Sequence, residues 1–448
     1  MNEFQSAIAK LPRSDNHRPG APIDIDAMYI VDGHRQALDL DRVLVVGNRG
    51  MGKSFWAHAL VDPLAKAKIA NELRLPELTK ARVRIGFNAA LGTDGFAPTA
   101  TMLMAAFRKG FQPKEIFVAL LVRAYAERIN HTIPSEFESL LAWIRGNAES
   151  VAVLTQRADQ YEHLDVLVFD ALDRLSDDVR VTNKLIKGLL EASLEAMTTR
   201  TLRCKIFIRS DQFADHELFA FPDASKLKNQ RVELRWSADD LYSLLLFRLN
   251  DVPCFQTLVG STRKRVETIA GEFMGKDRRR GRVWSWLITH LADAKGEISP
   301  RTFLTAWREA AAKAKDDLVS PRAVEPASLA AGVRVASEDR LSELEEDYPW
   351  VNTLLNPLRG KAVPMSKTAL EAIWDQQNVS LKVDSPSKSI WISTSEGASK
   401  NEQLISALVL IGVAEERANQ KINVPDIFRV HAGIKRLGGV PPKARTAT

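Results

Sequence analysis

The sequence predicts an α/β fold in which helices cover both faces of a parallel sheet, and two observations support this prediction. Over residues 25–250, apolar runs of strand length alternate with segments of helical spacing, which is the pattern of a parallel sheet. The first of these runs, residues 43–46, leads directly into the glycine-rich segment 47–54. A glycine-rich turn between a strand and a helix is typical of folds that bind phosphate at one edge of the sheet.

Segment 47–54 reads Gly-Asn-Arg-Gly-Met-Gly-Lys-Ser and fits the pattern G-x-x-x-x-G-K-[ST] of a phosphate-binding loop. Its glycines let backbone N–H groups converge on a phosphate, and a helix predicted over 55–68, with a break at Pro63, begins beside them. Lys53 is expected to neutralise the β- and γ-phosphates of ATP and Ser54 to bind Mg²⁺. The residues predicted to contact the nucleotide are Gly47, Asn48, Arg49, Gly50, Met51, Gly52, Lys53, Ser54 and Phe55.

Further strands are predicted at residues 83–87, 164–169, 205–208 and 231–234. The run 164–169 ends at Asp170, so this carboxylate is expected at the carboxyl edge of the sheet, where ligands bind in open α/β folds. A phosphate-binding loop needs such a carboxylate to position Mg²⁺. We assign that role to Asp170, with an acidic cap at the strand end as the alternative.

Hydrolysis also needs a group that orients the attacking water. Position 171, directly after the metal carboxylate, is Ala171, and the nearest acid is Asp173. Either Asp173 polarises the water, or hydrolysis is slow and the protein works as a nucleotide-held switch. The structural alternatives for Asp173 are a salt bridge with Arg174 and a helix cap. Arg209 follows the strand 205–208 and is predicted to stabilise charge on the transferred phosphate.

These residues resemble the AAA+ and STAND-related P-loop ATPases, including the KAP-type and origin-initiator-like groups, over residues 25–315. The resemblance rests on the loop 47–54 and on the run Asp-Ala-Leu-Asp-Arg-Leu at 170–175. It implies the sheet order 5-1-4-3-2, a helical lid and a C-terminal winged helix, in ATP-dependent switches or assembly platforms that include bacterial defence proteins. The chain departs from the family pattern at Ala171, where an acidic residue is expected, and it shows no arginine-finger context.

Beyond the ATPase region (25–250), residues 251–318 have helical spacing without strands and are predicted to form the lid. Arg301, in the first turn of a lid helix after Pro300, is expected to reach back over the nucleotide. The arginines at 278–280 and 282 supply an arginine to a neighbouring subunit, contact nucleic acid, or form a solvated basic face.

The remaining segments complete the predicted domain organisation. Residues 1–24 are expected to be a flexible arm and 319–364 a charged linker with a helix at its end. Residues 365–440 contain helices followed by a strand pair, which is typical of a winged helix, and 441–448 form a basic tail.

Net charge, cysteine content and hydropathy limit the partners, structural sites and location that are expected for this protein. A formal net charge of +6 permits nucleic acid as a partner without requiring it. Two cysteines 50 residues apart, Cys204 and Cys254, provide neither a disulfide framework nor a zinc site, and no run is long enough to span a membrane. A cytoplasmic protein is therefore expected.

Three functions fit these observations. The first is a regulatory or assembly ATPase that acts as a nucleotide switch on a partner protein, in the setting of bacterial anti-phage defence. The second is a DNA-bound initiator or transposition-helper ATPase, and the third is a small-molecule kinase. Self-association and weak DNA contact through the basic tail are further expectations.

Overall fold

The computed structural model describes residues 2–12, 22–88, 95–275, 278–313, 322–383 and 397–437. The chain divides into two compact units. The first, Ser14–Asp240, is called the sheet unit below. The second comprises Met1–Arg13 and Leu241–Thr448 and is called the helical unit; its first helix is α1 (Asn2–Ala9).

The sheet unit is built on a five-stranded sheet. Its strands are β1 (Leu44–Val46), β2 (Arg82–Phe87), β3 (Asp165–Phe169), β4 (Leu202–Ile208) and β5 (Arg231–Glu233). All neighbouring strands pair in parallel, in the order β2-β3-β4-β1-β5. This is the predicted order 5-1-4-3-2 read from the opposite edge, so the predicted fold is confirmed.

Helices cover both faces of this sheet. They are α2 (Arg35–Leu38), α3 (Lys53–Val61), α4 (Pro63–Glu72), α5 (Pro76–Lys80), α6 (Ala100–Arg108), α7 (Pro113–Arg128), α8 (Phe137–Gly146), α9 (Ala148–Ala158), α10 (Val179–Ala196), α11 (Ser210–Phe213) and α12 (Ala224–Asn229). Short 3₁₀ turns lie at Asp32–His34, Leu172–Arg174 and His216–Phe219.

Alternating side chains of the central strands enter two separate apolar cores. Leu44 and Ile206 pack with α7 and α10, whereas Val45 and Phe207 pack with α3 and α4. Successive residues of a strand point to opposite faces, so strands that are buried on both faces are mostly apolar. This is why β1 and residues 166–169 of β3 appear as continuous apolar runs, whereas β2 and β4 also carry charged residues.

The helix predicted over 55–68 is two helices, and the break falls at the predicted proline. The Asp62 carboxylate accepts hydrogen bonds from the N–H groups of Leu64 and Ala65, at 3.0 and 2.9 Å. Pro63 occupies the first position of α4, where its missing N–H costs nothing. The phosphate-loop helix α3 therefore ends after nine residues.

The first part of the helical unit contains no strand over residues 241–355 as far as the structure describes them. Its helices are α13 (Ala238–Arg248), α14 (Pro253–Gln256), α15 (Thr262–Ala270), α16 (Val283–Leu291), α17 (Pro300–Lys313), α18 (Pro326–Asp347) and α19 (Trp350–Leu355), followed by a 3₁₀ turn at Asn356–Leu358.

The structure differs from the predicted flexible arm and linker. Within 1–24, helix α1 packs on α17, with Ile8 fully buried and the Phe4 ring 4.9 Å from the Phe255 ring. Within 319–364, helix α18 packs along α17. The buried face of α18 includes small residues such as Gly332 and Ala336, so the periodicity of large apolar residues that marks most helices is weak there.

The C-terminal part contains short strands and helices. They are β6 (Ala362–Val363), β7 (Met365–Ser366), α20 (Lys367–Gln376), α21 (Val379–Lys382), α22 (Lys400–Leu410), β8 (Glu415–Glu416), β9 (Lys421–Asn423), α23 (Asp426–Arg429) and β10 (Lys435–Arg436). Strands β7, β9 and β8 form an antiparallel sheet in that order. The predicted strand pair is present, and the basic tail lies outside the described residues.

Of the helices in the described ranges, none combines the length and apolar character needed to cross a membrane.

Candidate functional site

The loop between β1 and α3 has the backbone geometry that phosphate binding requires. Gly50 and Gly52 adopt positive φ angles of 82° and 96°, a region that residues with a Cβ atom rarely occupy. The N–H of Gly47 donates to the carbonyl of Ile208 on β4 at 3.2 Å, which ties the start of the loop to the sheet. Helix α3 then begins at Lys53, so its N-terminal N–H groups face the loop.

The Lys53 ammonium lies within the loop. Its Nζ donates to the carbonyl oxygens of Gly47 and Asn48 at 2.8 and 2.9 Å. Desolvation lowers the pKa of Lys53 to about 8, and the nearby Asp170 carboxylate opposes that shift. A bound phosphate would also favour the charged ammonium, so the lysine is suited to an anionic ligand.

Asp170 directly follows β3, as predicted. Its side chain is only 2 % exposed, and its backbone N–H donates to the carbonyl of Phe87 at 3.0 Å. The carboxylate oxygen Oδ2 is buried and has no hydrogen-bond partner in the described part of the chain. An ionised oxygen in that position is costly unless a cation or a donor compensates it.

Asp173 and Arg209 are brought together at the same edge of the sheet. Arg209 Nη1 lies 3.6 Å from Asp173 Oδ2, while Arg209 Nε and Nη2 donate to the two carboxylate oxygens of Asp211 at 3.0 and 3.2 Å. Asp211 therefore fixes the guanidinium, and Asp173 is the looser partner, with its side chain 40 % exposed. The described partner of Asp173 is thus Arg209, and not the Arg174 considered from sequence.

Ala171, the departure from the family pattern, has an unusual backbone conformation. Its φ of 54° and ψ of 39° lie in the left-handed region, which is unfavourable for a residue with a Cβ atom. The chain turns sharply here to enter the short 3₁₀ turn that carries Asp173. The turn places Asp173 beside Arg209.

Two other predicted ligands are placed as follows. Ser54 is exposed in the first turn of α3, where its hydroxyl is available to a metal. Arg301 lies on α17 in the helical unit, and its Nη1 donates to Glu343 Oε1 at 2.8 Å. Its contact with the nucleotide stays a prediction.

Sequence reasoning missed Trp236, which supports the loop. Trp236 Nε1 donates to the carbonyl of Met51 at 3.0 Å. The buried His34 ring packs edge-on against Trp236 and Trp56, with centroid distances of 5.0 and 5.7 Å, and its Nε2 lies 2.8 Å from the carbonyl of Arg235. Burial lowers the pKa of His34, which favours a neutral packing residue. These residues are far apart in sequence, so no spacing marks them.

Asn88 was also missed, although the rule that identified Asp170 applies to it. It follows β2 as Asp170 follows β3, and its Nδ2 lies 2.6 Å from Nε2 of His58 on α3. A polar residue directly after an apolar strand is the signal in both cases.

Among known proteins, the chain is similar to several solved structures. No family model matches the sequence, and no curated protein matches it. Among solved structures, the chain is similar to Cdc6p from Pyrobaculum aerophilum, with 11 % identity, a TM-score of 0.33 and 96 % of each chain covered. It is also similar to the ORC2 protein of Aeropyrum pernix, determined as ADPNP–ADP complexes, with 13 % identity, a TM-score of 0.30 and 94 % and 97 % of the two chains covered.

At these identities and TM-scores, the likeness to the two structures carries no information on the function of this chain. The assignment rests on this chain's own sheet order and loop geometry. The sheet and the loop form a P-loop type α/β unit, and polar side chains follow β1, β3 and β4 at one edge of the sheet.

Proposed function

We propose that the sheet unit binds ATP with Mg²⁺ and hydrolyses it, and that the chain is a regulatory or assembly ATPase that switches a partner protein. The observation that carries this proposal is the unpartnered, buried Oδ2 of Asp170 at the sheet edge that also holds the Lys53 loop. A complex of a metal ion with a nucleotide needs a carboxylate that can bind the cation next to a loop that can bind the phosphates.

The residues present fit Mg²⁺. The ion prefers oxygen ligands and usually takes few of them from protein, with the rest from water and phosphate. Asp170 Oδ2 and the Ser54 hydroxyl are the oxygens that would hold it. When bound, Mg²⁺ neutralises charge on the β- and γ-phosphates.

The chain's own residues account for the other requirements of the reaction. The Lys53 ammonium would exchange its two loop carbonyls for phosphate oxygens, because charge-assisted hydrogen bonds are the stronger ones. Arg209, held by Asp211, would face the transferred phosphate without losing much further side-chain entropy. Asp173, partly exposed, would accept a hydrogen bond from the attacking water.

The output of the switch is assigned to the helical unit. Arg301 is our candidate for sensing the nucleotide. Its guanidinium would leave Glu343 and bind a phosphate of the nucleotide instead, and this exchange of partners is the signal. The elements from β7 to β9 have the order of a winged helix, whose partner we propose to be a protein. Helix α22 is largely apolar, with Glu402 in its capping box, and the two glutamates of β8 pair with Arg417 and Lys367, so these elements favour a protein over a phosphate-rich partner. Bacterial anti-phage defence remains the setting that the resemblance suggests.

A DNA-bound initiator-like ATPase is the second candidate. The observation in its favour is the exposed basic strand β10, Lys435–Arg436, which leads into the basic tail. In this case duplex binding should fall steeply with salt concentration.

The test of the proposal is Lys53→Ala. The loop then loses the cation aimed at the β- and γ-phosphates, and ATP affinity should fall by at least about 100-fold. Titration with a fluorescent ATP analogue measures this, and the production of phosphate measures hydrolysis. Lys66→Ala, at a lysine on α4 that donates to the carbonyl of Ala81 at 2.6 Å, is the control. Unchanged ATP affinity in a folded Lys53→Ala protein would refute the assignment.

A further inference from the structure

The helical unit contains a cavity of about 400 Å³, within the size range of small-molecule sites. It lies among α16, α18 and β10. Its polar walls are formed by Arg280, Trp286, His290 and Arg436. Met274 and Pro326 are among its apolar walls. The phosphate-binding loop belongs to the other unit, and none of its residues lines this cavity.

The charge on the walls favours an anion. Arg280 makes no hydrogen bond or ion pair with any residue that the structure describes. The ion contact of Arg436 is with Asp426, at 3.8 Å. Asp426 is held more closely by Arg429, at 2.6 Å, so Arg429 balances most of its charge. The guanidinium of Arg280 and the partly balanced guanidinium of Arg436 are thus left to attract a ligand, and guanidinium binds phosphate through paired hydrogen bonds.

A rigid aromatic pair forms another wall. The Trp286 and His290 rings are stacked, with centroids 4.0 Å apart and planes at 23°. The pair is anchored because His290 Nδ1 lies 2.7 Å from the carbonyl of Trp286 and His290 Nε2 lies 3.2 Å from Asp426 Oδ2. With apolar side chains such as Met274 beside it, this wall offers stacking and apolar area to a flat ring.

We propose that this cavity binds a small phosphate ester that carries a planar ring, the chemistry of a nucleoside monophosphate. The phosphate would bind Arg280 and Arg436, and the ring would pack on the aromatic and apolar walls. A single phosphate is favoured because Arg436 shares its charge with Asp426, which leaves about one full guanidinium unbalanced. The arginine stretch 278–282 thereby gains a ligand role at Arg280, which sequence analysis did not distinguish from its neighbours.

Isothermal titration calorimetry of the full-length chain tests this proposal with four probes: AMP, UMP, adenosine and inorganic phosphate. AMP or UMP should bind saturably, and adenosine and phosphate should each bind at least about tenfold more weakly, because each lacks one half of the ligand. AMP binding should survive Lys53→Ala, since AMP has no β- or γ-phosphate for the loop.

Three variants locate the site. Arg280→Gln should weaken AMP or UMP binding by about 10- to 100-fold, the range for one charge-assisted contact. Arg279→Gln removes the same charge from the neighbouring residue, which does not line the cavity, and should bind as wild type does. Ala330→Trp places a bulky ring at an exposed lining position and should block binding without changing any charge.

Several results would overturn the proposal. These are the absence of saturable binding by AMP and UMP, equal losses in Arg279→Gln and Arg280→Gln, and inorganic phosphate binding as tightly as AMP. Loss of AMP binding in Lys53→Ala would move the site to the loop. Binding of a single-stranded oligonucleotide but of neither mononucleotide would assign the cavity to nucleic acid instead.

Discussion

At the scale of single residues, Asp170 is the most informative position in the chain. Its Oδ2 is buried without a partner among the described side chains, and the proposed role is to hold Mg²⁺. Asp170→Asn keeps the size of the side chain and removes its charge. We expect most of the nucleotide affinity to remain, because the loop holds the phosphates, while the dependence of ATP binding and hydrolysis on Mg²⁺ concentration weakens.

The measurement is ATP binding and turnover over a range of Mg²⁺ concentrations. Asp177→Asn, at an exposed carboxylate seven residues further on, is the matched control and should keep the wild-type Mg²⁺ dependence. An Asp170→Asn protein with unaltered Mg²⁺ dependence would place the metal ligand elsewhere.

Asp173 is the residue proposed to orient the attacking water. Its carboxylate lies 3.6 Å from Arg209, a contact that permits either a water-orienting role or a purely structural one. If it orients water, Asp173→Ala should slow turnover by about 100-fold, the lower end of the range for a positioned acid–base group, with little loss of ATP affinity. Single-turnover hydrolysis measures the rate, and Asp177→Ala controls for removing a nearby surface charge. Equal turnover of Asp173→Ala and wild type would remove Asp173 from the mechanism.

At the scale of elements, the pairing of α17 with α18 depends on one glycine. A Cβ atom on Gly332 would lie 2.1 Å from the carbonyl oxygen of Ala306, so the two helix backbones approach more closely than any side chain allows. Gly332→Ala must push them apart, and we expect it to lower the free energy of unfolding by about 1–3 kcal/mol, the usual cost of overpacking.

Thermal or urea unfolding measures this change. Gly146→Ala, at the last position of α8, is the control, because its added Cβ would meet no atom within 4 Å. The control should be neutral or slightly stabilising, since alanine favours the helix more than glycine does. A Gly332→Ala protein as stable as wild type would show that α17 and α18 separate easily.

At the scale of the whole molecule, the question is how the C-terminal region meets its partner. The largely apolar helix α22 favours a protein partner, and the basic tail favours nucleic acid. Deleting residues 438–448 should remove weak, salt-sensitive DNA binding and leave ATP turnover unchanged, because the tail carries Lys443 and Arg445 and no residue of the proposed ATP site.

Electrophoretic mobility or fluorescence anisotropy at several salt concentrations measures the binding. A full-length double variant, Lys443→Gln with Arg445→Gln, is the control for charge and should lose most of the same binding. Duplex binding that survives the deletion and discriminates between sequences would favour the initiator-like function instead.

Local sequence patterns were enough to predict the sheet and the candidate phosphate site. Apolar runs mark β1 and most of β3, because the central strands of a parallel sheet are buried on both faces. The loop 47–54 and Asp170 are local signals, since a glycine-rich turn and a polar strand end act through their immediate neighbours. Strand order itself came from the resemblance that these motifs suggested, and the structure confirms it.

Contacts between residues that are distant in sequence become visible only once the chain is folded. The tertiary structure pairs Asp173 with Arg209 and lays Trp236 on the loop at Met51, contacts that no sequence spacing encodes. It also buries Lys205 inside β4, with Nζ donating to the carbonyls of Asp39 and Arg42 at 2.6 Å. Desolvation lowers the pKa of this lysine to about 7, although by type it belongs at the surface.

Helices α1 and α18 are further features that depend on tertiary packing, because the sequence predicted their segments as a flexible arm and a linker. Helix α18 is specified by the close approach of small residues to a neighbouring helix, a property of two surfaces together. A local sequence pattern indicates which face of one segment is buried. The surface against which that face packs, and the cavity beside α16, form only when the segments come together.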